Sequence, residues 1–460
     1  MGNKFKEMKM NYIYNRSKPL RFTKTLEVYG LILLLFLFTT CKKEIEKSEA
    51  SVSSIKYFDG GSKDKVNTIE KTSDGGFIYC GYTGADSARI DAFLLKVDGN
   101  GNQQWYKTFG GDNYDEFRHV IQTSDGGFIA VGQTNSIGTG STDGTYKICD
   151  YVVKLNSGGN VEWTKSYVLY PCCLTHVAET PDHNFMITGF TSPSTLDAIL
   201  LKIDASGNII YGRSYPSLSS YPPFNITNNY NEFGQCVSFA NDGSVIVGGV
   251  MSKSNFVTEA QSHVTFLMKV NSSGVPSFFY PMYDYVRGNN YSTAYGNPQR
   301  RLATVKIINL ADGYLIGTYT EDRTSPILKM QLLKTNLSGE VQWHKEYSGL
   351  GNALLYNMEA NADGSIMLIG ASSSGPMILS YTRFPELFYD LKTMMLKVDK
   401  DGNELWATYN GSEVNATMAK CVQPMPEGGW KVAGYTCLNE TGYDKMCWMK
   451  VDSEGKLLVK

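Results

Sequence analysis

The feature that most constrains the fold is a sequence repeat that recurs seven times along the chain. The clearest copies are residues 72–81 (TSDGGFIYCG) and 123–132 (TSDGGFIAVG). In each copy a turn signal built on an acidic residue precedes an apolar run that contains or ends in Gly. The other five copies cover residues 182–189, 242–248, 312–317, 363–370 and 427–434. A spacing of 50 to 70 residues between copies is typical of repeat architectures.

A second motif, Lys-x-(Asp/Asn)-x-x-Gly, follows each copy of the first. It covers residues 96–101, 154–159, 202–207, 269–274, 334–339, 397–402 and 450–455. Gly supplies the positive φ of a tight turn there, and Asp or Asn bonds its own backbone through the turn. In most copies an aromatic residue follows the turn, namely Trp105, Trp163, Tyr211, Trp343 and Trp406. Each repeat therefore predicts four antiparallel strands, where a precedes the first turn, b follows it, c leads into the second turn and d carries the aromatic residue.

Strand b is apolar at consecutive positions, as in residues 128–131, which indicates that both of its faces are buried. A ring of radially packed sheets buries both faces, because each sheet lies between two neighbours. We therefore predict an all-β fold, a seven-bladed β-propeller of four-stranded antiparallel blades, over residues 55–460. Residues 54–61 resemble the end of a strand d, whereas the last repeat stops at 456–460 without an aromatic residue. We expect the N-terminal segment to complete the seventh blade, either replacing or flanking residues 456–460.

The Lys-x-(Asp/Asn)-x-x-Gly motif with its following Trp resembles the broad quinoprotein-like propeller superfamily. The Asp-Gly-Gly-Phe-Ile copies resemble, more narrowly, propeller repeats of bacterial surface lipoproteins. Both resemblances imply a propeller over residues 55–460. Neither implies an activity, because propellers carry many unrelated functions.

Residues 1–40 have the pattern of a secretory signal. Seven Lys or Arg residues against two Glu precede the apolar run 31–38. The apolar segment 28–40 is shorter than the roughly 20 residues of a membrane-spanning helix. Cys41 follows two Thr residues and resembles the lipobox of bacterial lipoproteins, which implies lipidation of Cys41; an ordinary secreted protein is the alternative. The charged, Ser-rich segment 41–54 is expected to be a flexible tether. We expect an exported protein that is anchored to the outer membrane through lipid alone and is exposed at the surface.

The charge of the chain argues against nucleic-acid binding. The whole sequence has 43 Lys and Arg against 45 Asp and Glu. Without residues 1–40 the counts become 36 and 43, a net charge of about −7. This balance provides no basic patch for a phosphate backbone.

The variation in loop length favours one face of the propeller as the binding surface. The a–b and c–d turns are short and uniform, whereas all long connections are b–c or d–a loops, which share one face. Loops on a rigid scaffold often carry function. The candidate ligand-binding residues on this face are Tyr221, Phe224, Tyr230, Tyr283, Tyr285, Arg287, Tyr291, Tyr295 and Arg300. Such residues suit a glycan or protein surface, although they could equally pack the loops onto the scaffold.

Nine cysteines are present, and an exported chain can form disulfides. Cys80, Cys236 and Cys421 lie on predicted a or b strands and are expected to be buried thiols. The candidate disulfide residues are Cys149, Cys172, Cys173, Cys437 and Cys447. Cys437 and Cys447 would bridge one b–c loop. The adjacent Cys172 and Cys173 resemble the vicinal disulfide of pyrroloquinoline-quinone alcohol dehydrogenases. Those propellers, however, have eight blades and a calcium site that this sequence lacks. The alternative is a disulfide between Cys149 and either Cys172 or Cys173.

No catalytic or metal-binding signature stands out. The five histidines lack metal-ligand spacing, and the acidic segment 399–404 occupies a hairpin whose other copies lack the acids. The sequence therefore predicts no cofactor and no metal. The expected function is a non-enzymatic, monomeric envelope lipoprotein that binds a glycan or protein partner. The alternative is a propeller enzyme, either a quinone-dependent dehydrogenase or a carbohydrate-active hydrolase or lyase.

Overall fold

The computed structural model describes thirteen stretches of the chain, all of them within the unit Ser51–Lys460. These are residues 55–58, 64–84, 90–136, 149–167, 172–191, 196–215, 230–253, 263–282, 306–321, 327–375, 391–411, 416–437 and 444–458. Within them every regular element is a β-strand, and no helix with the length and apolarity to span a bilayer is found. The predicted signal segment, Cys41 and the tether lie outside these stretches.

The strands form seven four-stranded antiparallel sheets, here called blades 1 to 7. Strand β1 is Ile55–Phe58. Blade 1 contains β2 (Lys65–Lys71), β3 (Phe77–Thr83), β4 (Asp91–Val97) and β5 (Gln103–Phe109). Blade 2 contains β6 (Asp115–Gln122), β7 (Phe128–Thr134), β8 (Cys149–Leu155) and β9 (Val161–Lys165). Blade 3 contains β10 (Cys172–Glu179), β11 (Phe185–Thr191), β12 (Ala198–Ile203) and β13 (Ile209–Tyr215).

Blades 4 to 7 continue the same order. Blade 4 contains β14 (Tyr230–Phe239), β15 (Val245–Lys253), β16 (His263–Val270) and β17 (Pro276–Pro281). Blade 5 contains β18 (Lys306–Leu310), β19 (Gly313–Glu321), β20 (Leu328–Asn336) and β21 (Val341–Tyr347). Blade 6 contains β22 (Asn352–Ala360), β23 (Ile366–Ser373), β24 (Lys392–Val398) and β25 (Glu404–Asn410). Blade 7 contains β26 (Ala416–Pro424), β27 (Trp430–Cys437) and β28 (Asp444–Val451), together with β1.

The predicted seven-bladed β-propeller is confirmed. In each blade the strands pair in the order a-b-c-d, and strand a of every blade contacts strand a of the next in an unbroken circle that returns from β26 to β2. Strands b and c are buried almost throughout; all seven residues of β8 and of β11 are buried. The a strands therefore surround the axis, and the apolar layers lie between blades.

The chain closes the ring with its N-terminal strand. β1 pairs antiparallel with β28, from Ile55 opposite Met449 to Phe58 opposite Met446. This strand occupies the outer, d position of blade 7, while Leu457 makes an isolated bridge to Val451. The predicted pairing is confirmed, and β1 supplies the fourth strand in place of residues 456–460.

The two sequence motifs meet in each of six blades as a lysine–aspartate pair. In blade 2 the Lys154 Nζ lies 2.8 Å from Asp125 Oδ2, and the lysine side chain is 3% exposed. Burial raises the pKa of Asp125, but hydrogen bonds from Lys154, Thr123 and the Gly127 N–H outweigh burial and hold it at about 2. The equivalent pairs are Lys96–Asp74, Lys202–Asp182, Lys269–Asp242, Lys334–Asp312 and Lys397–Asp363. The repeated Lys and Asp thus join strand c to the a–b turn.

A second recurring contact joins each blade to the next. The positive-φ glycine of one c–d turn lies against the strand d aromatic ring of the preceding blade, as Gly159 does against Trp105. Lys107, two residues after this tryptophan, donates to the Gly159 carbonyl at 2.6 Å. We call each such contact between neighbouring blades a seam. In the seam between blades 2 and 3, the Tyr167 hydroxyl donates to the Gly207 carbonyl at 2.8 Å. The other glycine–ring pairs are Gly207–Trp163, Gly274–Tyr211, Gly339–Phe278, Gly402–Trp343 and Gly455–Trp406.

The seam between blades 7 and 1 uses a different strand for the same contact. Gly101 of blade 1 lies against Trp448, which belongs to strand c of blade 7. Trp448 is 5% exposed. Lys56 of β1 lies 5.5 Å from the centre of this ring and donates to the Asn100 carbonyl at 2.7 Å. Trp448 therefore takes the place of the aromatic residue that strand d provides in the other blades.

This packing predicts unequal costs for two glycine-to-alanine substitutions with similar backbone strain. Gly159 has φ of 73°, and a Cβ there would lie 2.8 Å from Trp105 Cε2. Gly243 has φ of 78°, and a Cβ there would meet nothing within 4 Å. We expect Gly243→Ala to cost about 1–2 kcal/mol for the left-handed conformation, and Gly159→Ala about 1–3 kcal/mol more for the ring clash. Chemical unfolding of both variants measures the difference; equal midpoints would contradict the seam contact.

Candidate functional site

A cavity of about 370 Å³ lies at the centre of the ring. Its walls come from all seven a strands, with additional side chains from β11 and β19. This volume is in the range of small-ligand sites, which are usually concave and combine apolar walls with a few placed polar groups. The cavity is therefore the candidate binding site in the part of the chain that the structure describes.

A recurring β-bulge supplies the lining side chains. In six blades the a–b pairing skips one residue at the same place, for example between Phe117 and His119 in blade 2. The skipped residues are Asn67, Arg118, Thr175, Gln235, Tyr356 and Lys420. All six line the cavity. Bulges bend a strand and redirect a side chain, so this local irregularity converts an inner strand edge into a polar wall.

Arg118 and Glu116 form a polar group on blade 2. Glu116, 2% exposed, accepts hydrogen bonds from the Tyr114 hydroxyl at 2.8 Å, Asn67 Nδ2 at 2.8 Å and Gln133 Nε2 at 3.1 Å. The guanidinium of Arg118 lies 3.5 Å from both Glu116 Oε2 and Gln133 Oε1. Its Nε is buried and has no hydrogen-bond partner. Burial lowers the pKa of Arg118, but Cys173, Glu116 and Tyr114 raise it overall, so this side chain stays cationic.

Lys420 and several rings form the neighbouring wall. The Lys420 Nζ lies 4.5 Å from the ring centre of Tyr356 and donates to the Asn67 carbonyl at 3.1 Å. Phe190 and Phe233 meet edge to face with ring centres 5.1 Å apart, and both line the cavity together with Tyr319. Flat apolar surfaces therefore alternate with amide and cationic groups around the cavity.

Two stacked histidines lie deeper in the ring. The rings of His119 and His176 are 3.8 Å apart between centres. Each Nδ1 accepts a backbone N–H at 3.4 Å, from Val177 and Val237 respectively. This arrangement places the proton of each neutral imidazole on Nε2. Burial, followed by His119 and Lys306, lowers the pKa of His176 well below its ordinary value, so His176 is a neutral hydrogen-bond donor.

An ion-paired cluster lies beside the histidines. Glu70 Oε1 is 3.6 Å from His119 Nε2, and Lys306 Nζ is 2.6 Å from Glu359 Oε1. Lys71 also contacts Glu359, at 3.0 Å. Burial raises the pKa of Glu70, but the hydrogen bond from His119 and the charges of Lys306 and Lys71 lower it overall. Burial lowers the pKa of Lys306, but Glu70 and Glu359 raise it overall. Glu70 and Lys306 therefore carry their charges at neutral pH.

Most of the predicted ligand-binding residues lie outside the described stretches. They are Tyr221, Phe224, Tyr283, Tyr285, Arg287, Tyr291, Tyr295 and Arg300. Each internal interval between the described stretches falls between strands b and c or between strands d and a, as the loop lengths predict. Tyr230, predicted to lie in a loop, is the first residue of β14 and pairs with Lys253. This boundary was wrong because strand pairing continues further toward the d–a connection in blade 4 than in its neighbours.

The cysteine predictions have mixed outcomes. Cys80, Cys236 and Cys421 are buried free thiols, as predicted; burial raises the pKa of Cys236 to about 12. The Cys437–Cys447 bridge is wrong, because Cys437 pairs with Asp444 whereas Cys447 pairs with Gly434. That offset of three residues is roughly 10 Å along the strand, beyond the reach of a disulfide.

The bridges that involve Cys173 are also wrong. Its thiol is free and buried, and it packs against Phe190 and Phe233. Burial raises the pKa of this thiol to about 12, so it is protonated and unreactive. A vicinal ring with Cys172 is therefore absent. The Cys172 side chain lies outside the description, so a Cys149–Cys172 pair stays a prediction.

The cavity residues were not predicted, although the sequence contains a signal for them. Each skipped residue stands seven positions before the acidic residue of its a–b turn, as Arg118 does before Asp125. Five of the six are polar: Asn67, Arg118, Thr175, Gln235 and Lys420. No group of three or more His, Cys, Asp or Glu side chains suited to a metal occurs within the described stretches.

Comparison with known proteins agrees with the fold. No protein-family model and no curated protein matches the sequence. Among solved structures, a PL25 ulvan lyase is 8% identical with a TM-score of 0.52, and the match covers 87% of this chain and 97% of that chain. The polysaccharide lyase Uly1 is 10% identical with a TM-score of 0.50, covering 88% and 94%. The β-propeller domain of the Trilobed protease from Pyrococcus furiosus is 7% identical with a TM-score of 0.45, covering 85% and 95%. At these identities the two lyase matches show a likeness of fold alone.

Proposed function

We propose that the protein is a non-enzymatic propeller that binds a glycan in its central cavity. The observation that carries this proposal is the composition of the wall. Four aromatic rings, those of Phe190, Phe233, Tyr319 and Tyr356, line the same cavity as the amides of Asn67 and Gln235. A pyranose ring offers apolar faces and hydroxyl edges, which suit flat rings and amides respectively.

The predicted loop-face residues extend this proposal. Tyr221, Tyr230, Tyr285 and Arg287 belong to the d–a side of blades 4 and 5, and aromatic and arginine residues there would add contacts for a longer chain. Lipidation at Cys41 would hold the propeller at the outer membrane, in contact with extracellular polysaccharide. A protein partner at the same face would use the loops without needing the cavity.

A glycan array probed with the purified chain tests the function. We expect binding that falls roughly five- to thirtyfold in Tyr356→Ala and Phe233→Ala, because each removes a stacking surface worth roughly 1–2 kcal/mol. Tyr409→Ala removes a partly buried aromatic residue from the outer strand β25 and should leave binding unchanged.

The loop face is tested separately. A variant with Tyr221, Tyr230, Tyr285 and Arg287 all changed to Ala should weaken binding of long glycans more than of disaccharides. Loss of all binding in this variant, with full binding in Tyr356→Ala, would move the site from the cavity to the loops. Absence of binding to every glycan would contradict the proposal.

Polysaccharide cleavage is the second candidate function. Arg118, His176 and Glu70 line the cavity, and one propeller of this fold is an ulvan lyase bound to -[GlcA(1-4)Rha3S]-, with 8% identity and a TM-score of 0.50. We favour binding because the Nδ1 atoms of both cavity histidines already accept backbone N–H groups. These imidazoles therefore donate protons to hydrogen bonds rather than removing a proton from a sugar carbon. Release of unsaturated uronate from an acidic polysaccharide, followed by ultraviolet absorbance, would favour the enzyme instead.

A further inference from the structure

Three successive blades place one donor-bearing side chain each at the same level of the cavity wall. They are Lys420 of blade 7, Asn67 of blade 1 and Arg118 of blade 2, all at skipped positions of their a strands. Asn67 connects the other two, since its carbonyl accepts from Lys420 and its amide donates to Glu116 beside Arg118. Two cations thus stand on either side of one amide.

The hydrogen-bonding capacity of Arg118 is incompletely used. Its Nε is buried without a partner, and its other two contacts are both 3.5 Å long. Leaving a buried donor unsatisfied costs free energy, most of all in a charged group. Glu116 already accepts from Tyr114, Asn67 and Gln133, and no hydrogen bond joins it to this Nε. The Arg118 side chain is still 24% exposed and lines the cavity, so a ligand oxygen there can accept from the exposed part of the guanidinium.

The surroundings select the shape and charge of that ligand. The planar fork of a guanidinium matches a carboxylate, which accepts two parallel hydrogen bonds. Phe190 and Phe233 line the same cavity as Arg118 and meet edge to face with ring centres 5.1 Å apart. An anionic group attached to a flat, partly apolar ring therefore fits better than a free anion.

We infer that the cavity contains a subsite for an acidic sugar, in which Arg118, supported by Lys420, binds the carboxylate of a uronic acid residue. The inference rests on the proposed glycan-binding function and adds the class of sugar. Asn67 and Gln235 would bind ring hydroxyls, while Phe190 and Phe233 contact the sugar face. Glu116 acts as a positioning residue that keeps the arginine directed into the cavity.

The test compares two ligands that differ in the carboxylate alone. The full chain is titrated with polygalacturonate and with fully methyl-esterified polygalacturonate. We expect the acid to bind at least about tenfold more tightly than the ester, because charged hydrogen bonds are the stronger class. This preference should weaken as salt is raised. Equal affinity for acid and ester would overturn the inference while leaving glycan binding intact, whereas no binding of either ligand or of any arrayed glycan would overturn both.

Variants assign the preference to the arginine. Arg118→Gln should reduce polygalacturonate binding about tenfold or more and leave the ester unaffected, and Arg118→Lys should retain part of the preference because it keeps charge without the fork. Arg213→Gln removes an arginine from the outer strand β13, where its Nε donates to Ser273, and should change neither affinity. Thermal unfolding curves confirm that each variant is folded.

A sulfate ester is the competing anion. Dextran sulfate and dextran, titrated in parallel, distinguish it from a carboxylate. Arg118→Gln binding polygalacturonate as tightly as the unmodified chain would overturn the inference, and so would an arginine-dependent preference for dextran sulfate alone. Loss of the acid-over-ester preference in Arg118→Gln, with no effect of Arg213→Gln, would support it.

Discussion

Trp448→Ala should lower the free energy of unfolding by about 3–5 kcal/mol, the range for removing a fully buried large aromatic side chain. The residue is 5% exposed and fills the seam between the last and first blades, where Gly101 lies against its ring. Lys56 of the closing strand also lies over this ring at 5.5 Å. The substitution therefore removes contacts on both sides of the ring closure.

Trp163→Ala is the matched comparison. Trp163 performs the same role in an ordinary seam, where it packs against Gly207 and its indole N–H donates to the Ala205 carbonyl at 3.1 Å. It is half-buried, so we expect roughly half the cost of Trp448→Ala. Chemical unfolding followed by tryptophan fluorescence and circular dichroism measures both. A smaller effect for Trp448→Ala than for Trp163→Ala would mean that the closing seam does not depend on the ring.

Lys306→Met should lower the free energy of unfolding by about 2–4 kcal/mol at neutral pH, because removing one partner of a mostly buried charge pair leaves the other charge uncompensated. The lysine side chain is 29% exposed and contacts Glu359 at 2.6 Å. It also lowers the pKa of Glu70. Methionine keeps the length of the side chain and removes the charge.

The cost of this substitution should depend on pH. In the unmodified chain the lowered pKa of Glu70 stabilises the fold above the ordinary glutamate value of 4.5, and this contribution is lost as pH falls below it. Without Lys306, burial of Glu70 is opposed by His119 and Lys71 alone, so the pKa of Glu70 rises relative to that in the unmodified chain. The cost of the substitution therefore decreases as pH falls and Glu70 takes up a proton.

Lys71→Met is the control for the same carboxylate. Lys71 contacts Glu359 at 3.0 Å but is 47% exposed, so solvent screens the pair and we expect a loss below about 1 kcal/mol. Unfolding midpoints of both variants at about pH 7.5 and about pH 5 give the comparison. A gap between the two variants that stays constant with pH would contradict the proposed coupling of Lys306 to Glu70.

The sequence predicted the fold well because the residues that recur in each repeat are those that make its packing contacts. The turn acid and the strand c lysine recur because they form one ion pair in six blades, as Asp125 and Lys154 do. The aromatic of strand d recurs because it covers the next blade's turn glycine. Trp448 was not predicted in that role, since its place in the repeat assigns it to strand c. The structure shows the role through Gly101, which lies against the Trp448 ring, and Lys56 of β1, which lies over it.

The site was harder to predict because it is assembled from residues that never lie close together in the sequence. Arg118 and Lys420 meet the same cavity from blades 2 and 7, about 300 positions apart. Their side chains face the axis because of a skipped residue in the a–b pairing, and a bulge is not evident from polarity alone. Loop length instead predicted a site on the face that carries the b–c and d–a loops, because insertions can be read from the sequence whereas a cavity cannot.

The pairing of the first strand with the last hairpin also sets the order in which the molecule can be completed. Blades 1 to 6 are each built from consecutive residues and can form as soon as their own segment has been synthesised. The seventh needs Ile55 to meet Met449, so this contact waits for nearly the entire chain. Such a distant contact is slow to find. During translation the first strand therefore stays unpaired until the final hairpin emerges, and a product truncated before Asp444 would expose unsatisfied strand edges at both ends.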